Sequence, residues 1–126
     1  MENQFHEETK DKVAFVQQIV DVVRLDELHL KPDIIKIDTE GHDYQALLGM
    51  TQTIKSCRPV VMIEHNPDLL DEELAFFQGM DYQFLVYGFK TDRFDTFDRA
   101  KELEAFNRTK VSKNIFCIPK EKAVAL

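Results

Sequence analysis

The sequence is poor in glycine and cysteine, and both shortages exclude common kinds of site. Its only glycines are Gly41, Gly49, Gly79 and Gly88. None lies within seven residues of another, so the chain has no glycine-rich turn of the kind that cradles a phosphate or a dinucleotide. The two cysteines, 60 residues apart, fit no metal-ligand spacing, and such isolated thiols are typical of a reduced, cytoplasmic protein.

Basic residues and long apolar runs are also scarce. The formal net charge is −7 and the isoelectric point is near 5.0, which argues against binding to a nucleic-acid backbone. No apolar run approaches the roughly 18 residues that span a bilayer, and residues 1–8 are acidic rather than signal-like. We therefore expect a cytoplasmic protein with no membrane or nucleic-acid partner. With 126 residues it should form a single domain, 1–126, with mobile ends at 1–12 and 120–126.

The first apolar region lies near the amino terminus. Valine, isoleucine and phenylalanine are frequent from Val13 to Leu25, which favours one or two strands, the better one near Ile19–Arg24. A helix over Asp11–Val23 is the alternative, because short apolar runs suit both. A helical turn at 26–28 should follow, ended by Pro32.

The rest of the chain alternates strand and helix patterns, which predicts an α/β sheet. Ile34–Asp38 and Val60–Ile63 read as buried strands. Helical spacing after Gly41 predicts one amphipathic helix of about 14 residues on Tyr44, Leu47, Leu48, Thr51 and Ile54. The next prediction is a helix that is capped at Asn66, ends at Gly79 and buries Leu70, Leu74 and Phe77. After it we predict a strand at Tyr82–Tyr87, a short helix at Arg99–Phe106 and a last strand at Asn114–Ile118.

Polar side chains follow both buried strands. Asp38 and Glu40 come after the first strand, and Glu64, His65 and Asn66 end the second. In open α/β sheets ligands bind beyond the carboxyl ends of the strands. If the two strands are parallel neighbours, these side chains and His42 should share one cleft.

Two simpler interpretations of these residues stay open. Asp38 or Glu40 could cap the helix that begins near His42, as acids often do. Histidines beside carboxylates are also suitable ligands for zinc or iron. Because their spacing is no recognised ligand pattern, we assign no metal ligand, and a metal-dependent hydrolase is a less favoured alternative.

Five stretches carry a resemblance to a known family. They are Leu25-Asp26-Glu27-Leu28, Ile35-Lys36-Ile37-Asp38-Thr39-Glu40-Gly41, Leu47-Leu48-Gly49, Arg58-Pro59-Val60-Val61-Met62-Ile63-Glu64 and Asn114-Ile115-Phe116-Cys117-Ile118-Pro119. In their order and approximate spacing the chain resembles the FkbM family of S-adenosylmethionine-dependent methyltransferases. The resemblance implies a partial doubly wound, Rossmann-like sheet, mostly parallel, with an antiparallel last strand.

The resemblance also implies an activity and roles for residues. The family transfers a methyl group from S-adenosylmethionine to a hydroxyl oxygen of a sugar or small natural product. Asp38 would face the methyl group, as base or orienting acceptor and as a cofactor contact, and Glu40 would assist catalysis or bind the acceptor. The expected substrate-binding residues are Glu40, His42, Asp43, Glu64 and His65. Asp43 stands where the family usually has glutamate.

One departure from the family pattern affects the whole prediction. The glycine-rich cofactor turn and the ribose-binding acid are missing, so the chain resembles the carboxyl-terminal half of a methyltransferase, from a truncated or split reading frame. Activity of the isolated chain is therefore an open question. The alternative is a non-enzymatic α/β interaction module that forms a homodimer, or binds a complementary chain, through an exposed sheet edge.

Overall fold

The structure, a computed structural model, describes residues 16–64 and 70–122. Its strands are β1 (Ile34–Lys36), β2 (Val60–Glu64), β3 (Tyr82–Gly88), β4 (Arg93–Thr96) and β5 (Asn114–Pro119). Its α-helices are α1 (Asp43–Leu48), α2 (Thr51–Cys57), α3 (Leu70–Phe77) and α4 (Arg99–Thr109), with 3₁₀ turns at Leu25–Leu28 and Lys120–Lys122. The α/β class and the helical turn near Asp26 are confirmed.

The five strands form one mixed sheet in the order β1-β2-β5-β3-β4. Only β1 and β2 pair in parallel; β5 is antiparallel to both β2 and β3, and β4 is antiparallel to β3. The prediction of a mostly parallel sheet is therefore wrong, although the antiparallel last strand is confirmed. The reason is that β5 inserts between β2 and β3 and a hairpin adds β4, so three of the four ladders are antiparallel.

One face of the sheet carries the core. Side chains alternate between the faces of a strand, and Val61, Ile63 and Ile115 on one face are completely buried. They pack in one cluster with apolar residues of α1, α2 and α3. On the other face Ile34 is 70% exposed, and Met62 and Phe116 are only half-buried. The helices α1, α2 and α3 thus cover one side of the sheet.

The strand predicted near Ile19–Arg24 is absent. Residues 16–24 form neither strand nor helix, and Ile19 is 94% exposed. Residues 13–15 of this apolar region lie outside the described part. A β-branched run needs a neighbouring strand to become part of a sheet, and no strand among the described residues pairs with it.

The long helix predicted after Gly41 is two short helices. The break lies at Gly49 and Met50, and Leu48, expected in the core, is 50% exposed. Asp26 provides the cause, because its carboxylate accepts hydrogen bonds from the backbone N–H groups of Gln52 and Thr53 at 3.1 and 2.8 Å. A residue far away in sequence therefore caps the start of α2.

Replacing Asp26 by alanine should lower the free energy of unfolding by about 1–2 kcal/mol, because it leaves the first amides of α2 without acceptors. The Thr53 hydroxyl, which donates to the same carboxylate at 2.8 Å, also loses its partner. Urea denaturation measures the loss. Glu27→Ala is the matched control, since Glu27 is exposed and forms a surface ion pair with Arg24; equal losses in the two variants would contradict the capping role.

The later elements agree with the sequence more closely. The α3 helix is followed by Gly79 at φ 77°, as predicted, whereas its predicted start at Asn66 lies outside the described residues. The α4 helix runs three residues beyond the predicted Phe106, and β4 was not anticipated. Glu121, in the segment predicted to be mobile, forms a 2.8 Å ion pair with Arg58; mobility there stays a prediction. Within residues 16–64 and 70–122 no helix is long and apolar enough to cross a membrane.

Candidate functional site

The carboxyl ends of β1 and β2 lie side by side. Lys36 is the register partner of Met62, and the backbone N–H of Ile37 donates to the Met62 carbonyl at 2.8 Å. Asp38 and Glu64 each follow this register pair by two residues, at the same end of the two strands. Side chains alternate along a strand, so Glu64 lies on the same sheet face as Met62, the face that α1, α2 and α3 leave uncovered. The two acids predicted to share a cleft therefore follow adjacent strands, and a shared cleft stays a prediction.

Lys36 forms an ion pair with Asp38 and is also influenced by the charge of Glu64. Its Nζ donates to Asp38 Oδ2 at 2.8 Å, and both side chains are about half exposed. The hydrogen bond from Lys36 to Asp38, the charge of Asp38 and more weakly the charge of Glu64 raise the pKa of Lys36. One ammonium thus lies within the field of both carboxylates, and the cluster carries one net negative charge.

A tight loop carries Glu40 away from the end of β1. Glu40 has φ 51° and Gly41 has φ 96°, so two successive residues occupy the left-handed region. That region costs a non-glycine residue about 1–2 kcal/mol, and strain of this kind is found preferentially at functional sites. The loop leaves the Glu40 side chain exposed to solvent.

Neither predicted capping acid caps α1. His42 occupies the N-cap position and makes no side-chain capping bond. Asp43, at the first position of the helix, accepts hydrogen bonds from the Thr39 N–H at 2.9 Å and from the Thr39 hydroxyl at 2.5 Å. With only 6% of its surface exposed, Asp43 fixes the loop that joins β1 to α1. A role in substrate binding stays a prediction for it.

The remaining predicted residues are placed as follows. His42 is exposed and lines an apolar groove of about 450 Å³ between α1 and the segment 22–28. His65 lies outside the described residues. A second cavity, of about 530 Å³, opens at the amino end of β1 and contains none of the predicted site residues. Within the described ranges, no three histidine, cysteine or acidic side chains are grouped so that they could hold a metal ion.

Two charged residues of this region were not singled out from the sequence. Lys36 is a lone cation inside an isoleucine-rich strand pattern, which was the available signal. Glu73 lies in α3, three residues after Leu70 and four before Phe77, so helical spacing places it on the buried stripe. Glu73 is 1% exposed, and burial, then the charges of Asp43 and Glu72, raise its pKa to about 7.

Comparison with known proteins gives a family. Residues 1–90, about 71% of the 126-residue chain, match the methyltransferase FkbM domain. No curated protein and no solved structure shows significant similarity to the chain. The matched range includes β1, β2 and the loop between Asp38 and Asp43, which form the geometry described above. The chain belongs to the FkbM methyltransferase family.

Proposed function

We propose that this chain forms the acceptor side of a methyltransferase that uses S-adenosylmethionine to methylate a hydroxyl oxygen of a sugar or small natural product. Family membership supports methyl transfer in general. We assign the acceptor site to this region because carboxylates follow both β1 and β2, on either side of Lys36.

The residues of this cluster suit a neutral hydroxyl acceptor. Methylation of a hydroxyl requires that the oxygen be oriented and its proton removed, and a carboxylate can do both. Asp38 is the favoured base, because it is accessible at the end of β1. Lys36 holds the Asp38 carboxylate in place through their hydrogen bond, and Glu64 offers a second acceptor for a polyhydroxylated molecule. Glu40 and His42 lie on the exposed loop beside them.

The described residues do not fit S-adenosylmethionine by themselves. From β1 to β2 to β3 the chain advances in one direction along the sheet, so no topological switch point lies between these strands. The free edge of β1 has no strand beside it among the described residues, and the sequence has no glycine-rich turn. We therefore propose that a complementary polypeptide segment adds to this edge and supplies the cofactor cradle, and we derive no step through the cofactor.

Calorimetric titration tests this function. The isolated chain should bind S-adenosylmethionine no more tightly than about 0.1 mM, an affinity of only about −5 kcal/mol. Mixing it with the amino-terminal half of a complete FkbM-family methyltransferase should give tighter binding and methylation of a hydroxyl acceptor. Asp38→Asn should then reduce the methylation rate about 100-fold. Equal methylation rates for the complemented variant and the complemented unmodified chain would contradict the role of Asp38.

The exposed apolar surface favours a second candidate, an interaction module without activity. Ile19, in segment 16–24, is 94% exposed, and Ile34, on the edge strand β1, is 70% exposed. An unpaired edge can be covered by a second copy of the chain. Analytical ultracentrifugation distinguishes the two candidates: a dimer that Ile34→Lys dissociates supports the module, and a monomer at high concentration contradicts it.

A further inference from the structure

Two buried carboxyl groups lie on neighbouring helices, one of which begins directly after the site loop. Asp43 begins α1 and Glu73 lies in the first half of α3, and the two helices pack together. They are 6% and 1% exposed, so both are more than nine-tenths buried. Glu73 Oε2 has no hydrogen-bond partner among the described residues. A carboxyl oxygen in that position is costly to leave unpaired, so its state should matter to its neighbours.

No cation compensates Glu73 among the described residues. The titratable groups that interact with it are Asp43 on α1, Glu72 on α3 itself and Cys117 on β5. Two of these are acids and the third is a thiol whose own pKa is raised by burial and by the charge of Glu73. Deprotonating Glu73 would therefore put a second negative charge near Asp43 in a place that water hardly reaches.

Asp43 has a defined structural task. Its carboxylate holds both the N–H and the hydroxyl of Thr39, the residue that follows Asp38. The next residue, Glu40, is in the left-handed region, a conformation that persists only where its surroundings enforce it. These two hydrogen bonds tie the loop to the first residue of α1.

We propose that Glu73 is a positioning residue of the site: its buried carboxyl has to stay neutral, and only then does the Asp43 carboxylate hold Thr39 and the loop that carries Asp38 and Glu40. Loss of the proton sets two buried anions against each other, and Asp43 then releases Thr39. The site loop is thereby coupled to pH through a residue that contacts no substrate. Its meaning for catalysis rests on the proposed function, whereas the coupling itself does not.

The test follows the backbone amides of Thr39 and Gly41 by NMR between pH 5.5 and 8.5. In the unmodified chain their chemical shifts should titrate with a midpoint near 7, and hydrogen-exchange protection at Thr39 should fall roughly tenfold across it, which corresponds to one pKa unit of coupling. In Glu73→Gln the amides should show no such transition, because the side chain keeps its shape and cannot ionise.

Two variants control for other titrating groups. His42→Asn removes the nearby imidazole, and Glu72→Gln removes the exposed acid beside Glu73; both should keep the Thr39 transition. The same transition in Glu73→Gln, or its loss in His42→Asn, would overturn the proposal. If Glu73→Gln does not fold, the titration of the Glu73 carboxyl can be followed by ¹³C NMR in the unmodified chain. A titration midpoint near the ordinary pKa of 4.5 refutes the coupling, and a midpoint near 7 supports it. None of these readouts needs cofactor or acceptor, so failure here is distinct from failure of the methyl-transfer proposal.

Discussion

Replacing Glu73 by glutamine is expected to raise the free energy of unfolding by about 3 kcal/mol at pH 7 and above, and to change it little at pH 4.5 and below. The carboxyl has a pKa of about 7 in the folded chain against an ordinary value of 4.5, so the folded state binds more protons between these values. Stability of the unmodified chain therefore falls as pH rises through that window, by about 1.4 kcal/mol per pH unit from this residue alone. Glutamine cannot ionise and avoids the loss.

Urea denaturation of the unmodified chain and of Glu73→Gln at several pH values measures the difference in their free energies of unfolding. Groups that titrate equally in both proteins do not contribute to this difference. The matched control is Glu72→Gln, one residue away on the exposed side of α3, which should change stability by less than about 0.5 kcal/mol. Curves for the Glu73 variant and the unmodified chain that stay parallel from pH 4.5 to 8 would show that folding does not raise the pKa of Glu73.

Where apolar residues form a short uninterrupted run, the sequence was a good guide to the strands. Val60–Ile63 became β2 with one more residue, and Asn114–Ile118 became β5 with one more. Both runs are bounded by proline, and both supply fully buried side chains to the core. Burial on the helical face therefore left little choice of conformation for these residues.

Features that depend on contacts between distant parts of the chain could not be predicted from local sequence patterns. Periodicity indicates that residues form a strand, but not which neighbour the strand has, and so the insertion of β5 between β2 and β3 was missed. The division of the helix after Gly41 depends on Asp26, whose carboxylate caps α2 from 26 residues away. A run such as Ile19–Val23 is strand-like in composition, yet without a pairing partner it stays outside the sheet and exposed.

The placement of Asp38 and Glu64 was predictable for a related reason. They follow two parallel neighbouring strands that end at one edge, and strand patterns alone are enough to suggest that. Their roles stay predictions. Lys36 was overlooked because a charge within a strand is usually an exposed residue without a role. Glu73 was overlooked because acids on helices usually face solvent, although its place between Leu70 and Phe77 marked it as buried.

Truncating Phe77 to alanine should have the largest effect on the fold, a loss of about 4 kcal/mol in the free energy of unfolding. The ring is 1% exposed and lies 4.9 Å from the ring of Tyr82 and 6.2 Å from that of Phe84, measured between centroids. It thus joins α3 to β3, and aromatic pairs of this kind add to the effect of burial. Such a loss is a large part of the roughly 5–15 kcal/mol that typically stabilises a domain.

The size of this effect follows from the packing of α3. Helices in proteins owe most of their stability to the apolar face that they bury, so α3 depends on the side chains that it packs against the sheet. Phe76→Ala is the matched control, because the neighbouring ring is only partly buried and its loss should cost about 1–2 kcal/mol; equal losses in a denaturation series would contradict a central role for Phe77.

Phe77→Leu should restore most of the stability, and it should also keep the pH dependence that Glu73 imposes one turn earlier. Packing of α3 and ionisation of Glu73 are thus separable, since one depends on volume in the core and the other on a proton.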